Sequence, residues 1–246
     1  MLRAVFLFLL LLPLYQAVYA QFDEEPMSTE ILLRKEFHGG VFINTAGAGL
    51  EFRKGANTTF FTKWMYEANL LELKSSCETR IAYYRNARSY VYGKLNNFYV
   101  LRAGGGQQKL LNRKPYWGGV ELRYFWFAGG SMGIAKPVYL YVFKGFFPES
   151  YLVVERYDPD VHQSVSEIFG RAPFTKGFES LAFHPGLYVK AGFSFDIARQ
   201  SEKVSAVEVG AALDIFPTGV PIMAMNNPER YFLTLFVGYY IGKRYN

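Results

Sequence analysis

The chain has 246 residues and a formal net charge of +6; half its residues are hydrophobic and 18% are aromatic, with 19 Tyr and 23 Phe. That aromatic load is high for a soluble enzyme, and the single cysteine, Cys77, excludes an internal disulfide framework. The basic excess points to an anionic counterpart of some kind.

Residues 1–20, MLRAVFLFLLLLPLYQAVYA, read as a cleaved signal peptide. Arg3 precedes an apolar run from Ala4 to Leu14, and Val18-Tyr19-Ala20 offers a small-residue cleavage site. The run is short for a membrane span and Pro13 interrupts it. An exported chain rarely meets nucleic acid, so no nucleic-acid partner is expected and anionic lipid or surface glycan is the better counterpart. Beyond residue 20 no stretch offers about 18 uncharged apolar residues, which disfavours a helical span.

What recurs instead is alternation. In TTFFTKWMYEANLLE, Phe60, Thr62, Trp64, Tyr66, Ala68 and Leu70 oppose Lys63, Met65, Glu67 and Asn69. In GLYVKAGFSFDIA, Leu187, Val189, Phe193, Phe195 and Ile197 oppose Tyr188, Lys190, Gly192, Ser194 and Asp196. VSAVEVGAALDIF and RYFLTLFVGYYIG repeat the period of two. These runs exceed the usual soluble strand of about 5 to 6 residues and suit a tilted membrane crossing. A soluble sandwich also alternates, but its second face is charged and solvated. Here that face carries Gly, Ala, Ser, aromatics and one or two charges, as a filled lumen does.

The pattern predicts an all-β fold, an antiparallel up-and-down transmembrane β-barrel. Eight strands are expected over residues 37–53, 58–72, 95–104, 117–127, 130–143, 186–198, 204–216 and 230–242. Residues 21–36 would form a periplasmic N-terminal segment and 37–246 the barrel domain. With both termini periplasmic, Ala128-Gly129 and residues 199–203 would be tight turns, and 105–116, 144–185 and 217–229 outer loops. Two places strain this count and leave ten strands open. Residues 73–94 make a long periplasmic connection, and the register changes near Asn44-Thr45-Ala46-Gly47, as at a bulge or a separate hairpin.

The segments INTAGAGLEFRKG, ARSYVYGKLNNFYVLRAGGGQQ and GGVELRYFWFAGGSMGIAKPVYL, about half of the mature chain, resemble small outer-membrane β-barrel proteins of the Bacteroidota type. The resemblance implies a barrel in the cell outer membrane and no particular activity. Such barrels often finish on an aromatic residue, whereas this sequence ends Arg244-Tyr245-Asn246.

Read inward, the alternation places Lys63, Arg102, Arg123, Lys136, Lys190 and Arg230 with Glu67, Glu121, Asp196, Glu208 and Asp214 in the lumen. An eight-stranded barrel is only wide enough for side chains to fill it, so a paired plug is expected rather than a selective channel. A turn at Ala128-Gly129 would set Glu121 opposite Lys136, with Ala135, Pro137, Tyr139, Tyr141 and Phe143 facing lipid.

The best catalytic candidate is YDPDVHQSVSE, where His162 and Ser164 are two apart and Glu167 follows. His162-Gln163-Ser164 resembles the minimal His-x-Ser pattern of an outer-membrane lipid A deacylase, but a nucleophilic Ser also needs its base within reach and the base oriented. A solvated loop is the simpler reading, and no enzyme is expected. His38, His162 and His184 are scattered, Asp158 and Asp160 with Glu155 make a turn, and the glycines at 104–106 lack a phosphate-loop ending, so neither metal nor cofactor is expected. Loop 144–185 holds Phe146, Phe147, Tyr151, Tyr157, Phe169, Phe174, Phe178 and Phe183. It is too apolar to be free in solvent; it either folds over the mouth or docks an envelope protein partner. The expected role is structural or partner-binding, as in a subunit of an envelope complex; a lipid-modifying hydrolase using His162 and Ser164 and a narrow channel are the alternatives.

Overall fold

A computed structural model describes residues 35–75, 77–113, 119–145, 150–162, 164–198, 200 and 202–245. The signal-peptide reading of residues 1–20, most of the 21–36 segment, Phe146, Phe147 and Gln163 lie outside the described residues. The strands are β1 (Lys35–Asn44), β2 (Gly47–Asn57), β3 (Thr62–Leu73), β4 (Arg80–Ile81), β5 (Tyr90–Val91), β6 (Asn96–Asn112), β7 (Glu121–Pro137), β8 (Tyr139–Lys144), β9 (Tyr151–Arg156), β10 (Ile168–Arg171), β11 (Ala182–Asp196), β12 (Lys203–Val220) and β13 (Glu229–Tyr245).

Eight of these strands close an antiparallel barrel in the order β1-β13-β12-β11-β7-β6-β3-β2. The alternation dictates which face turns in. On β3, Lys63, Met65, Glu67 and Asn69 are buried while Trp64, Tyr66 and Leu70 are exposed; on β13, Phe232, Thr234, Phe236 and Tyr240 alternate with exposed Leu233, Leu235, Val237 and Tyr239. Closure joins the first strand to the last: Lys35 lies opposite Tyr245 and Asn44 opposite Phe236. No free sheet edge is left along that seam from Lys35 to Asn44.

The strand count is eight, but three boundaries differ from the sequence expectation: β6 runs on through residues 105–112, expected in an outer loop, and two turns fall elsewhere. Residues 37–53 are two strands joined at Thr45-Ala46, where the Ala46 N–H donates to Asn44 Oδ1 at 2.8 Å. An Asx side chain that holds its own turn two residues on is a hairpin signal. Conversely, residues 117–127 and 130–143 do not form a hairpin at Ala128-Gly129, because β7 runs unbroken across that point from Glu121 to Pro137 and pairs there with β6 and β11. Glycines at 104 and 129 are there for clearance. A Cβ on Gly129 would stand 2.5 Å from the Gly104 Cα, and one on Gly104 would stand 2.5 Å from the Tyr188 hydroxyl. The two glycines make room for a phenol crossing the lumen.

These corrections reassign the loops. At the end bearing Lys35 and Tyr245 the connections are residues 58–61, 113–120 and 197–202. At the far end they are 45–46, 74–95, 138–181 and 221–228. The long segment 73–94, expected on the terminal side, therefore belongs with the other long loops at the far end, and the 113–120 connection belongs to the terminal end. The far-end loops build a cap. Strands β10-β8-β9 form a three-stranded sheet and β4-β5 a two-stranded one, so Tyr139, Tyr141 and Phe143 stand in the cap sheet. Ala135 points inward because β7 keeps its parity past the expected turn.

Candidate functional site

The lumen is filled in layers. At the centre Arg53, fully buried on β2, is ringed by carboxylates from three strands. Its Nη2 lies 2.5 Å from Glu51 Oε1, its Nε donates to Glu67 Oε2 at 3.2 Å, and its Nη1 donates to Glu208 Oε1 at 2.8 Å. Lys190 enters from β11 and donates to Glu51 Oε2 at 2.6 Å. Two phenols complete the set: the Tyr188 hydroxyl donates to Glu67 at 2.8 Å and the Tyr240 hydroxyl to Glu51 at 3.0 Å. The guanidinium stands over the rings of Phe127 at 4.5 Å and Phe125 at 4.9 Å. Beside this cluster Arg102 binds both carboxylate oxygens of Asp214. Buried charge is tolerated because each group is paired and hydrogen-bonded; a lone one would be costly.

Toward the terminal end lies a second cluster. Glu36 accepts from Lys63 and from Arg244 Nε at 3.1 Å, and it stands 3.1 Å from His38 Nδ1. Arg244 Nη2 reaches Asp196 at 2.5 Å, and Arg123 pairs with Glu121 two residues away on its own strand. Toward the far end the lumen turns apolar, with Phe98 packed on Phe216 and Phe232, and Val100, Val220 and Ile222 alongside.

Above this apolar layer sits the cap, whose core is Tyr90, Val138, Leu140, Val142, Tyr157 and Ile168. Main-chain bonds tie its loops together: Leu95 N–H donates to Ile222 O at 2.8 Å, Ala224 N–H to Gly93 O at 2.8 Å, and Val138 N–H to Leu95 O at 2.9 Å. Tyr84, Phe143 and Phe169 form a ring cluster. Burial, with Tyr92, Tyr157 and Tyr84 nearby, pushes the Tyr90 phenol up to about 12.

Of the residues expected to form a lumen network, Lys63, Glu67, Arg102, Arg123, Lys190, Asp196, Glu208 and Asp214 are all buried within the barrel. Three stand elsewhere. Glu121 is half-buried at the terminal rim, and Arg230 is exposed at the far end. Lys136 lies beneath the cap, donating to the Phe174 carbonyl with its Nζ 3.5 Å from the Phe174 ring and 4.3 Å from that of Phe178. The expected Glu121–Lys136 pairing fails because both residues lie on β7; their partners across the ladder are Asp196 and Asn97. The sequence reading missed Glu36, His38, Glu51, Arg53 and Arg244. The Asn-x-x-Gly hairpin at 44–47 was the signal that could have exposed Glu51 and Arg53 as inward on β2.

In the long loop, Tyr157 is buried and Phe169 half-buried within the cap, while Tyr151, Phe174, Phe178 and Phe183 remain exposed. His162 is buried and engaged locally. Asp158 N–H donates to its Nδ1 at 3.0 Å, its Nε2 stands 3.5 Å from Glu155, and its ring stacks on Tyr157 at 5.9 Å. The Ser164 hydroxyl instead meets that of Ser166 at 2.7 Å. The two residues of the candidate dyad therefore face different partners.

Outside, the barrel is apolar all round, with Val41, Phe52, Trp64, Trp126, Val189, Val209 and Leu235 among its exposed side chains. No helix among the described residues is long and apolar enough to cross a membrane.

No protein-family model matches the chain, and no curated protein matches it. Solved structures do. Ail, the attachment invasion locus protein of Yersinia pestis, is 8% identical, with a TM-score of 0.38 over 86% of this chain and 98% of that one. The same protein in complex with the heparin analogue sucrose octasulfate gives 0.37, at 8% identity over 86% and 97%. Neisserial surface protein A gives 0.40, at 7% identity over 86% and 96%.

Proposed function

We propose that the chain is an integral outer-membrane β-barrel protein, of the kind its three segments resemble, with a plugged lumen and a non-enzymatic, structural or partner-binding role at its capped outer end. The observation that carries this reading is the inverted distribution of polarity. Charges are paired inside a closed ring of strands, and large apolar side chains cover the outside, as hydrocarbon requires and water penalises. The end with the long loops faces outward by the usual asymmetry of such barrels. Arg53 and its carboxylates, then the Phe98 layer, then the cap obstruct the axis in succession, which favours a plug over a channel. The separate engagements of His162 and Ser164 support a role without hydrolysis.

Two measurements test this. The protein should stay with the membrane through carbonate washing and show heat-modifiable migration; release into the supernatant would sink the membrane reading. Reconstituted in planar bilayers it should conduct no more than an empty-detergent control, and discrete openings would sink the plug.

A further inference from the structure

The barrel wall is not equally tall all round. Strand β1 stops at Asn44, opposite Phe236, while β13 continues to Glu229. The hairpin tip fills the wall between β13 and β3 only to one level, where Thr45 N–H donates to Leu235 O at 3.0 Å and Lys74 N–H to Ala46 O at 2.8 Å. Beyond the tip is a window of about 420 Å³, bounded by Thr45 to Gly47, by Lys74 and Ser75, and by Tyr231 to Thr234 of β13. The Ser75 hydroxyl donates to Glu229 Oε1 at 2.9 Å and closes its rim.

The ladder fixes what the window wall offers. Leu235 turns its carbonyl toward the hairpin, and residues two apart on a strand share that direction. Leu233 and Tyr231 therefore aim their N–H and C=O groups into the window, away from β12. Among the described residues no backbone partner reaches them. Their side chains stand on the outer surface, 71% and 68% exposed. A bare strand edge in a lipid-facing wall is costly.

We propose that this window docks one short extended peptide segment of an envelope partner, which adds a strand to β13 at Tyr231 and Leu233. The proposal rests on the reading of the chain as an outer-membrane barrel. Donors and acceptors alternating at strand spacing are the complement of an extended backbone; an acyl chain offers neither. The frame closed by Ser75 and Glu229 admits a single strand in line with β1, and excludes the continuous wall of a second barrel. Thr45, Lys74 and Ser75 give the opposite rim polar groups for the segment's free edge.

The test places a photo-crosslinking residue at Tyr231, at Leu233 and, on the wall away from the window, at Val209, in intact outer membranes, with crosslinked peptides mapped by mass spectrometry. Crosslinks from 231 and 233 should fall on one partner segment at positions two residues apart, and 209 should not reach that segment. Leu233→Pro removes the window-facing N–H and leaves the β12 ladder whole. It should lower the yield at 231 by about tenfold, the weight of a hydrogen bond or two, with heat-modifiable migration unchanged. Thr45→Trp, which fills the window floor, should do the same should the proline variant not fold. Crosslinks only to lipid, only to a second copy, or at scattered protein sites indifferent to these substitutions would overturn the docking site. So would a folded, carbonate-resistant barrel that yields no mapped segment. A chain released by carbonate would instead overturn the membrane reading beneath it.

Discussion

Arg53 at the centre of the barrel and Ile168 at the centre of the cap are both withdrawn from solvent, at 1% and 0% exposure, in surroundings that differ in kind. Around Arg53 are Glu51, Glu67 and Glu208, with aromatic rings filling the remaining space. Around Ile168 are Leu140, Val142, Tyr90 and Tyr157. Apolar side chains cover the outside of the barrel, and the middle of its lumen is held by charge pairs whose worth lies in mutual satisfaction, with the Phe98 layer filling the far end. The cap is held by apolar burial in the ordinary way. Perturbing each should therefore fail differently.

The largest effect is expected in the lumen. Arg53→Ala leaves three buried carboxylates short of a partner and should cost about 3–5 kcal/mol, read as a lowered urea midpoint for loss of the heat-modifiable band. Replacing the Arg102–Asp214 pair together by Met and Leu should be close to neutral, because no orphaned charge remains; a loss as large as that of Arg53→Ala would break the comparison. In the cap, Leu140→Ala should cost about 2–4 kcal/mol, confined to faster amide exchange in β8, β9 and β10 with the barrel strands still protected. On the outer wall, Val209→Lys should cost about 2–4 kcal/mol if that position lies near the bilayer midplane, and nearly nothing in a soluble barrel. The smallest effect is Lys144→Ala on the cap surface, under about 1 kcal/mol for an exposed pair. Glu155 there is held below its ordinary value chiefly by the hydrogen bond from Lys144. A depressed carboxyl contributes above its ordinary value and loses that contribution as pH falls through the lowered one. The exchange difference between wild type and Lys144→Ala should therefore close on acidification.

The same contrast explains what the sequence disclosed. Barrel strands are long and two-faced, so the period of two in 62–73, 182–196 and 203–216 announces both the fold and the inward Lys63, Lys190 and Asp214. The turns were harder to read. Thr45-Ala46 is a turn with no glycine between its flanks, while Ala128-Gly129-Gly130 holds two glycines and continues straight, because glycine serves lumen clearance as readily as chain reversal. A turn hidden at 45–46 and a turn suggested at 128–129 offset each other in the count but not in the pairing, so the sequence sets Lys136 against Glu121 while the fold sets it beneath Phe174. The cap was the least legible region. Its strands are as short as two residues, and Tyr157 and Ile168 become core only when segments 74–95 and 138–181 meet.

The seam between β1 and β13 has a bearing on assembly. Glu36 belongs to the first strand of the barrel and Arg244 to the last, and their 3.1 Å contact bridges almost the whole length of the folded chain. No shorter portion of the polypeptide can complete that contact, so the ring closes only when β13 pairs with β1. Until β13 arrives, an open curved sheet must carry its charged concave face and its unmatched first strand. Such a long-range closure is slow by nature. Before Arg244 meets Glu36, the open edges of β1 and β13 are the surfaces most exposed to wrong pairing.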